Sequence, residues 1–150
     1  MQVKDIVKPA VIIEEIDTFS VALKAMITQQ TNTLLVTSED GKLSGEVTVT
    51  DLLSAVVPDT LNGTEVMKHF TTDEAFVASI EIVKDLPVAE FMSRDFTPLT
   101  LNDDLVTIIA TAITNERARI PVIDIEERPI GIISRQGLKQ ILNKFLNVKL

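Results

Sequence analysis

The sequence predicts an α/β fold of the α+β kind: two tandem copies of a strand-helix-strand-strand-helix unit, with a helical insertion between them. Three observations carry this expectation. Residues 17 to 53 align without a gap on residues 103 to 139, at a constant offset of 86, and self-similarity at a fixed period marks a repeated building block. The apolar runs are short, rich in Val and Ile and without clean alternation, as in sheets covered by helices on one side. The chain has no Trp, Tyr or Cys but is 45% hydrophobic, so its core is aliphatic, and neither a disulfide framework nor a thiolate metal site is possible.

Six positions of the alignment are identical: Asp17/Asp103, Ile27/Ile113, Thr28/Thr114, Val36/Val122, Gly45/Gly131 and Leu52/Leu138. Others keep their class, among them Phe19/Leu105, Leu34/Ile120, Lys42/Arg128, Val47/Ile133 and Thr48/Ser134. Each copy opens on an apolar strand, VIIEE or TPLTL. A helix follows, expected to start at Asp17 or Asp103, whose side-chain oxygen can accept from the first free backbone N–H groups. Phe19, Ala22, Leu23, Met26 and Ile27 recur at helical spacing, as do Leu105, Ile108, Ile109, Ala112 and Ile113, and so define core faces. Two further strands, TLLVT and GEVTV or RIPVID and GIISR, flank a polar connection. A last helix begins near Asp51 or Gly137.

The copies occupy residues 1–58 and 88–150. Between them, residues 59–87 read as an inserted helical segment: Pro58 and Asn62-Gly63 mark turns, Thr72 or Asp73 caps a helix over EAFVASIEIV, and Pro87 ends it. The one histidine, His69, has no Cys or second His beside it and reads as a surface or packing residue.

No run approaches the about 18 apolar residues of a membrane span, and MQVKDIVKPAV lacks the apolar block of a signal peptide. The expectation is a cytoplasmic protein that does not engage membranes. Fourteen basic against 22 acidic residues, a net charge of −8, oppose nucleic-acid binding. There is no G-x-x-x-x-G-K-[ST] loop and no His or Cys cluster with metal spacing, so the chain is not expected to be an enzyme. The acids of SEDG, TTDE and NDDL fall in loops or caps, where solvated carboxylates belong.

The chemically pointed feature is the junction GEVTVTD. A helix start leaves N–H groups free and favours anionic oxygens. Thr48 adds a hydroxyl, and the Asp51 carboxylate can accept from two neighbouring hydroxyls, as in a ribose 2′,3′-diol. T-x-x-D is equally a capping box with no ligand at all. The second copy keeps a cap in Ser134 and has Gly137 in place of the acid.

In RIPVID, in GEVTVTD with its incomplete copy GIISRQG, and in the lead-ins VAEFMSRDFTPLTLNDDL and VKDIVKPAVIIEEIDTF, the chain resembles a tandem pair of cystathionine β-synthase (CBS) domains, a Bateman module. The resemblance implies two repeats packed about a pseudo-twofold axis, with two clefts that often hold adenosine-containing ligands. On this sequence it places Asp51 on the ribose and Thr48 on the phosphate or ribose side. The base lies against Val11, Ile12, Thr33 and Leu34. The second cleft draws on Thr97, Pro98, Arg119, Ile120 and Ser134, without a ribose carboxylate; a phosphate there would meet Arg119 or Arg135.

The implied function is a regulatory sensor of AMP, ADP, ATP, S-adenosylmethionine or a related compound, with a homodimer as the expected assembly, no required cofactor and a separate molecule as target. The alternative is a ligand-free module that homodimerises or docks on a protein, sharing the aliphatic faces of VALKAMI and VTIIATAI with that interface.

Overall fold

The computed structural model describes residues 1–57, 72–115 and 119–146; Pro58, Asn62, Gly63 and His69 lie outside them. The strands are β1 (Ile12–Glu14), β2 (Thr33–Thr37), β3 (Leu43–Thr48), β4 (Leu99–Thr100), β5 (Ile120–Ile123) and β6 (Pro129–Ile133). The helices are α1 (Phe19–Thr28), α2 (Val49–Val56), α3 (Asp73–Val83), α4 (Leu105–Asn115) and α5 (Arg135–Leu146). They form two three-stranded sheets, ordered β1-β2-β3 and β4-β5-β6. β1 runs parallel to β2, and β4 parallel to β5, as a helical crossover requires. This is the expected mixed α/β architecture, with one sheet per repeat.

The two compact units are interleaved along the chain. One, the first-repeat unit, comprises Val11–Glu39 and Ser44–Arg94; the other, the second-repeat unit, comprises Met1–Ala10, Asp40–Leu43 and Asp95–Leu150. Each lead-in thus belongs to the unit of the other copy. In the second-repeat unit the 3-10 turn Val3–Asp5 docks by Val3 N–H to Asp103 O (3.0 Å) and Lys4 N–H to Leu101 O (3.1 Å), and Lys8 and Ile132 exchange two backbone bonds (2.9 and 2.8 Å). The first-repeat unit repeats the arrangement. There Val88 N–H donates to Asp17 O (2.7 Å), Ala89 N–H to Glu15 O (3.2 Å), and Ser93 and Glu46 exchange two bonds of 2.9 Å. Phe91 of that lead-in tilts against Phe19, ring centroids 5.8 Å apart.

Each sheet has its own core. The first-repeat cluster holds Ile13, Phe19, Ala22, Leu34, Val36, Val47 and Val88; the second holds Leu99, Leu105, Ile108, Ile120, Val122, Ile133 and Val3 at the matching places. These aligned apolar positions are core positions in both units, but the expected core faces are narrower than the spacing suggests: Leu23 and Ile27, with their counterparts Ile109 and Ile113, stand exposed on the outer side of α1 and α4. α3 extends the first core: Val83 is buried within it, and Phe76 and Ile80 pack against it.

The helix starts fall one residue later than the sequence suggests. Thr18 caps α1, accepting from Val21 N–H (3.3 Å), and Asp104 caps α4, accepting from Thr107 N–H (2.9 Å). Asp17 and Asp103 instead close the turn before the cap, each accepting at 2.8 Å from a backbone N–H three residues back, Glu14 and Thr100. Both residues of each pair are short polar acceptors, and the pattern alone does not separate helix cap from turn closure. The N–H and then the hydroxyl of Thr107 hold the Asp104 carboxyl below its usual value. α3 begins as expected, with Thr72 accepting from Ala75 N–H (3.2 Å).

The β2–β3 and β5–β6 turns diverge in chemistry. Gly41 has φ +82°, and Glu127, at the same repeat position, φ +66°. A non-glycine residue there costs about 1–2 kcal/mol. In the second copy the Asp124 carboxylate holds the turn by accepting from Glu126 N–H (2.8 Å) and Arg128 N–H (3.0 Å).

Gly45 and Gly131 are demanded by the docked lead-ins. A β-carbon on Gly131 would stand 2.5 Å from Lys8 O and 2.6 Å from a Val7 methyl; one on Gly45 would meet Met92 Sδ at 2.7 Å and Ser93 O at 2.9 Å. Both Gly→Ala variants are expected to lose about 1–3 kcal/mol, with Gly131→Ala the worse because the backbone carbonyl it meets is nearer, 2.5 Å against 2.9 Å, and the Met92 side chain, the nearest atom at Gly45, can swing away. Urea midpoints of the two variants check this; unchanged midpoints would mean that the lead-ins do not dock at these edges.

Candidate functional site

The GEVTVTD junction is formed by β3 passing into α2 through Thr48, an extended residue at φ −106°, ψ 169°. Asp51 N–H donates to Thr48 Oγ1 (3.2 Å), while Asp51 Oδ2 accepts from both the N–H (2.8 Å) and the hydroxyl (3.1 Å) of Thr48. The capping box is therefore built in full. It does not consume the carboxylate: all three bonds use Oδ2 or the main chain, and Asp51 Oδ1 has no hydrogen bond within the described residues. Asp51 is half-buried, so the box fixes one oxygen and leaves a second, pre-oriented acceptor.

Val49 N–H donates to Asn32 O (3.3 Å), which holds the α2 N-terminus beside the start of β2, where Thr33 is half-buried. Val11 O accepts from Leu35 N–H (2.9 Å), and Ile12 pairs with Leu35; Ile12 is exposed. Thus Val11, Ile12, Thr33, Thr48 and Asp51 gather at adjoining strand and helix starts of one unit. Leu34 stands there as well, but its side chain is wholly buried in the core, so any contact it makes with a ligand runs through its main chain.

The second-repeat unit holds the corresponding set. Ile120 pairs with Ile133, which puts Arg119 and Ile120 beside Ser134 and Arg135, and Thr97 and Pro98 lead into β4. Ile120, like Leu34, has its side chain in the core. Ser134 Oγ accepts from Gly137 N–H (3.2 Å), and α5 starts with no acid in its first turn. Arg119 is half-buried and already engaged, and Arg135 is exposed.

Two further residues hold the elements that lead to this junction. Asn32 contributes the carbonyl that takes Val49 N–H. Glu46 is 2% exposed in β3, where the second copy has Ile132; an acid between Gly45 and Val47 in an apolar strand was the available signal. Among the described residues no group of acids and histidines has metal-site geometry, and no helix is long and apolar enough to cross a membrane.

A paired three-stranded α/β architecture with a capped strand-to-helix junction in each repeat defines a tandem-repeat module. The family model for the CBS domain matches residues 3–58 and again 88–144. The chain belongs to the CBS-domain family. A CBS domain-containing protein of unknown function from Bacillus anthracis shares the fold at a TM-score of 0.76 and 17% identity, covering 96% of this chain and 94% of its own. The CBS domain of a CBS domain containing membrane protein from Sphaerobacter thermophilus gives 0.74 at 23% identity, covering 93% and 86%. The CBS domain pair of protein MJ0100, solved with 5′-methylthioadenosine and S-adenosyl-L-methionine, gives 0.69 at 20% identity, covering 95% and 99%. No curated protein sequence matches the chain.

The difference between the junctions is open to transplantation. A β-carbon on Gly137 would have no neighbour nearer than 3.7 Å, an ordinary contact, so Gly137→Asp should complete the second capping box and raise the melting temperature, with a gain of about 1 kcal/mol. Asp51→Ala should lose a similar amount. Thermal melts of both variants check the pair; a Gly137→Asp chain that melts lower than the parent would show that the second junction cannot accept an acid.

Proposed function

We propose that this chain is a regulatory module that senses an adenine nucleotide or other adenosyl compound, gripped at the first repeat's strand-to-helix junction. The observation that carries this reading is the divided carboxylate of Asp51. Oδ2 is held by Thr48, while Oδ1 is left to accept from a ribose hydroxyl at the positive end of α2. Thr48 lies on the phosphate or ribose side, and Val11, Ile12, Thr33 and the Leu34 main chain line the base. Membership of the CBS family, and a relative of the same fold solved with two adenosyl compounds, support the ligand class.

The second junction has Thr97, Pro98, Ser134, Arg119 and Arg135 but no ribose carboxylate, and it suits a phosphate-bearing ligand without a gripped diol. The module binds and reports and carries out no catalysis; it needs no cofactor, and it acts in the cytoplasm on a separate target protein. Occupancy regulates that target only in so far as ligand affinity differs between two states of the module.

Melting temperature against AMP, ADP, ATP and S-adenosylmethionine, each at about 1 mM, tests the reading. A ligand with a Kd of about 10 μM adds about 2.7 kcal/mol, several degrees. Because Asp51→Ala also loses its capping box, each variant's shift is taken against its own ligand-free melt. The ligand-induced shift should fall with a loss of about 1.5–3 kcal/mol in binding. A full shift in Asp51→Ala would remove the ribose assignment.

A second reading, a homodimerising or protein-docking module without ligand, is favoured by apolar side chains left in water on α1 and α4: Ile27 is 66% exposed, Val106 73% and Ile113 72%. On that reading the chain sediments as a dimer, and Ile27→Asp with Ile113→Asp weakens dimerisation at least about tenfold while the fold persists. A parent chain that is monomeric at every concentration tested would exclude it.

A further inference from the structure

The last helices of the two repeats differ in what covers them. In the first-repeat unit α2 is overlaid by α3, and Val56 of α2 is 5% exposed in a cluster with Val83, against which Phe76 and Ile80 pack. The same repeat position on α5 is Leu142, 64% exposed, and Phe145 and Leu146 on the following turn are 64% and 70% exposed. Three large apolar side chains stand in water at, or within about one turn of, the position that α3 covers in the other copy.

The charges of the covering and uncovered helices are opposite. α3 carries Asp73, Glu74 and Glu81. α5 carries Arg135, Lys139 and Lys144, all exposed, and no acid, in a chain whose net charge is −8. On a helical wheel Arg135, Lys139, Leu142 and Leu146 fall in one stripe, at i, i+4, i+7 and i+11. The first repeat shows what such a flank takes: an amphipathic helix with anchors spaced like Phe76, Ile80 and Val83.

From the repeat and the charge pattern we infer that the Leu142–Phe145–Leu146 face of α5 is a docking site for an acidic amphipathic helix of a separate protein. The partner helix lies on α5 as α3 lies on α2. Its aromatic and aliphatic anchors meet the apolar side chains, and its acids meet Arg135 and Lys139, which share their stripe. The inference is independent of the adenosyl ligand and needs no nucleotide in its test.

The probe is a labelled synthetic peptide with the sequence of Thr72–Lys84, titrated with the full chain and read by fluorescence anisotropy. Saturable binding is expected. It should weaken at least about tenfold in Phe145→Asp, weaken similarly in the double variant Arg135→Glu/Lys139→Glu, and fall as salt rises towards about 1 M. All three substituted side chains are exposed, and a circular-dichroism melt confirms that each variant folds. Binding unaltered by the α5 variants would place the peptide on α2, in exchange with α3, and overturn the inference. Absence of binding would overturn it too. So would pelleting of the chain with anionic vesicles that the peptide does not compete away, which would assign the face to a lipid surface.

Discussion

Lys8 and Ile132 exchange two backbone hydrogen bonds, as do Ser93 and Glu46, and both exchanges bring a second chain segment against a strand at a place where only a glycine leaves room. The rest of the structure depends on those two close approaches. Each fixes a lead-in whose buried valine, Val3 or Val88, becomes part of the core it docks on. Since each lead-in comes from the other copy, neither repeat's own stretch of sequence contains all of its unit. Cooperativity follows from connectivity: a unit lacking its lead-in would expose a sheet edge and leave a core valine unburied.

The same scaffold is then tuned at the junction between the last strand and last helix. Thr48 and Ser134 cap their helices with the same bond, 3.2 Å in both cases. What differs is the third residue of the helix. Asp51 returns to the cap with one oxygen and keeps the other; Gly137 returns nothing. A capping box and a ligand-gripping carboxylate are usually weighed against each other, but a carboxylate has two oxygens, and here the structural use of one orients the other. Holding Oδ2 lowers the entropy that a ribose contact at Oδ1 would have to overcome.

The repeat, its element order and part of each core face were legible in the sequence because burial acts on both copies alike: Phe19 and Leu105, Ala22 and Ile108, Val47 and Ile133 keep apolar character at the offset of 86, whereas Leu23, Ile27, Ile109 and Ile113 share the helical spacing and are exposed. The α3 cap at Thr72 was legible for the same kind of reason, since a local acceptor precedes a local helix. Asp17 and Asp103 were read as helix caps when they close the preceding turn, because two adjacent acceptors compete for the role and only backbone geometry decides between them. The interleaving of the lead-ins lay beyond local pattern altogether. It is written in Gly45 and Gly131, but a glycine says that something comes close, not which segment does. Of the candidate site, the junction could be read from its motif; the burial of the Leu34 and Ile120 side chains, and the Asn32 carbonyl beside Val49, depend on strand register.

The positions at which the copies part company share a property. Asp51 and Gly137, Gly41 and Glu127, and Glu46 and Ile132 are three aligned pairs that differ in chemistry, Val56 and Leu142 a fourth that differs in burial, and none joins two members of the cores in both units. Core pairs are held to apolar residues by packing, where a misfit costs about 1–3 kcal/mol. Junction, turn and outer helix flank carry no such penalty. They are where one copy can keep a carboxylate with a second oxygen to spare and a covered helix while the other keeps a bare cap, two arginines and an uncovered cationic flank. Duplication provided two equivalent frames, and the packing that holds them alike is what leaves their margins free to be unlike.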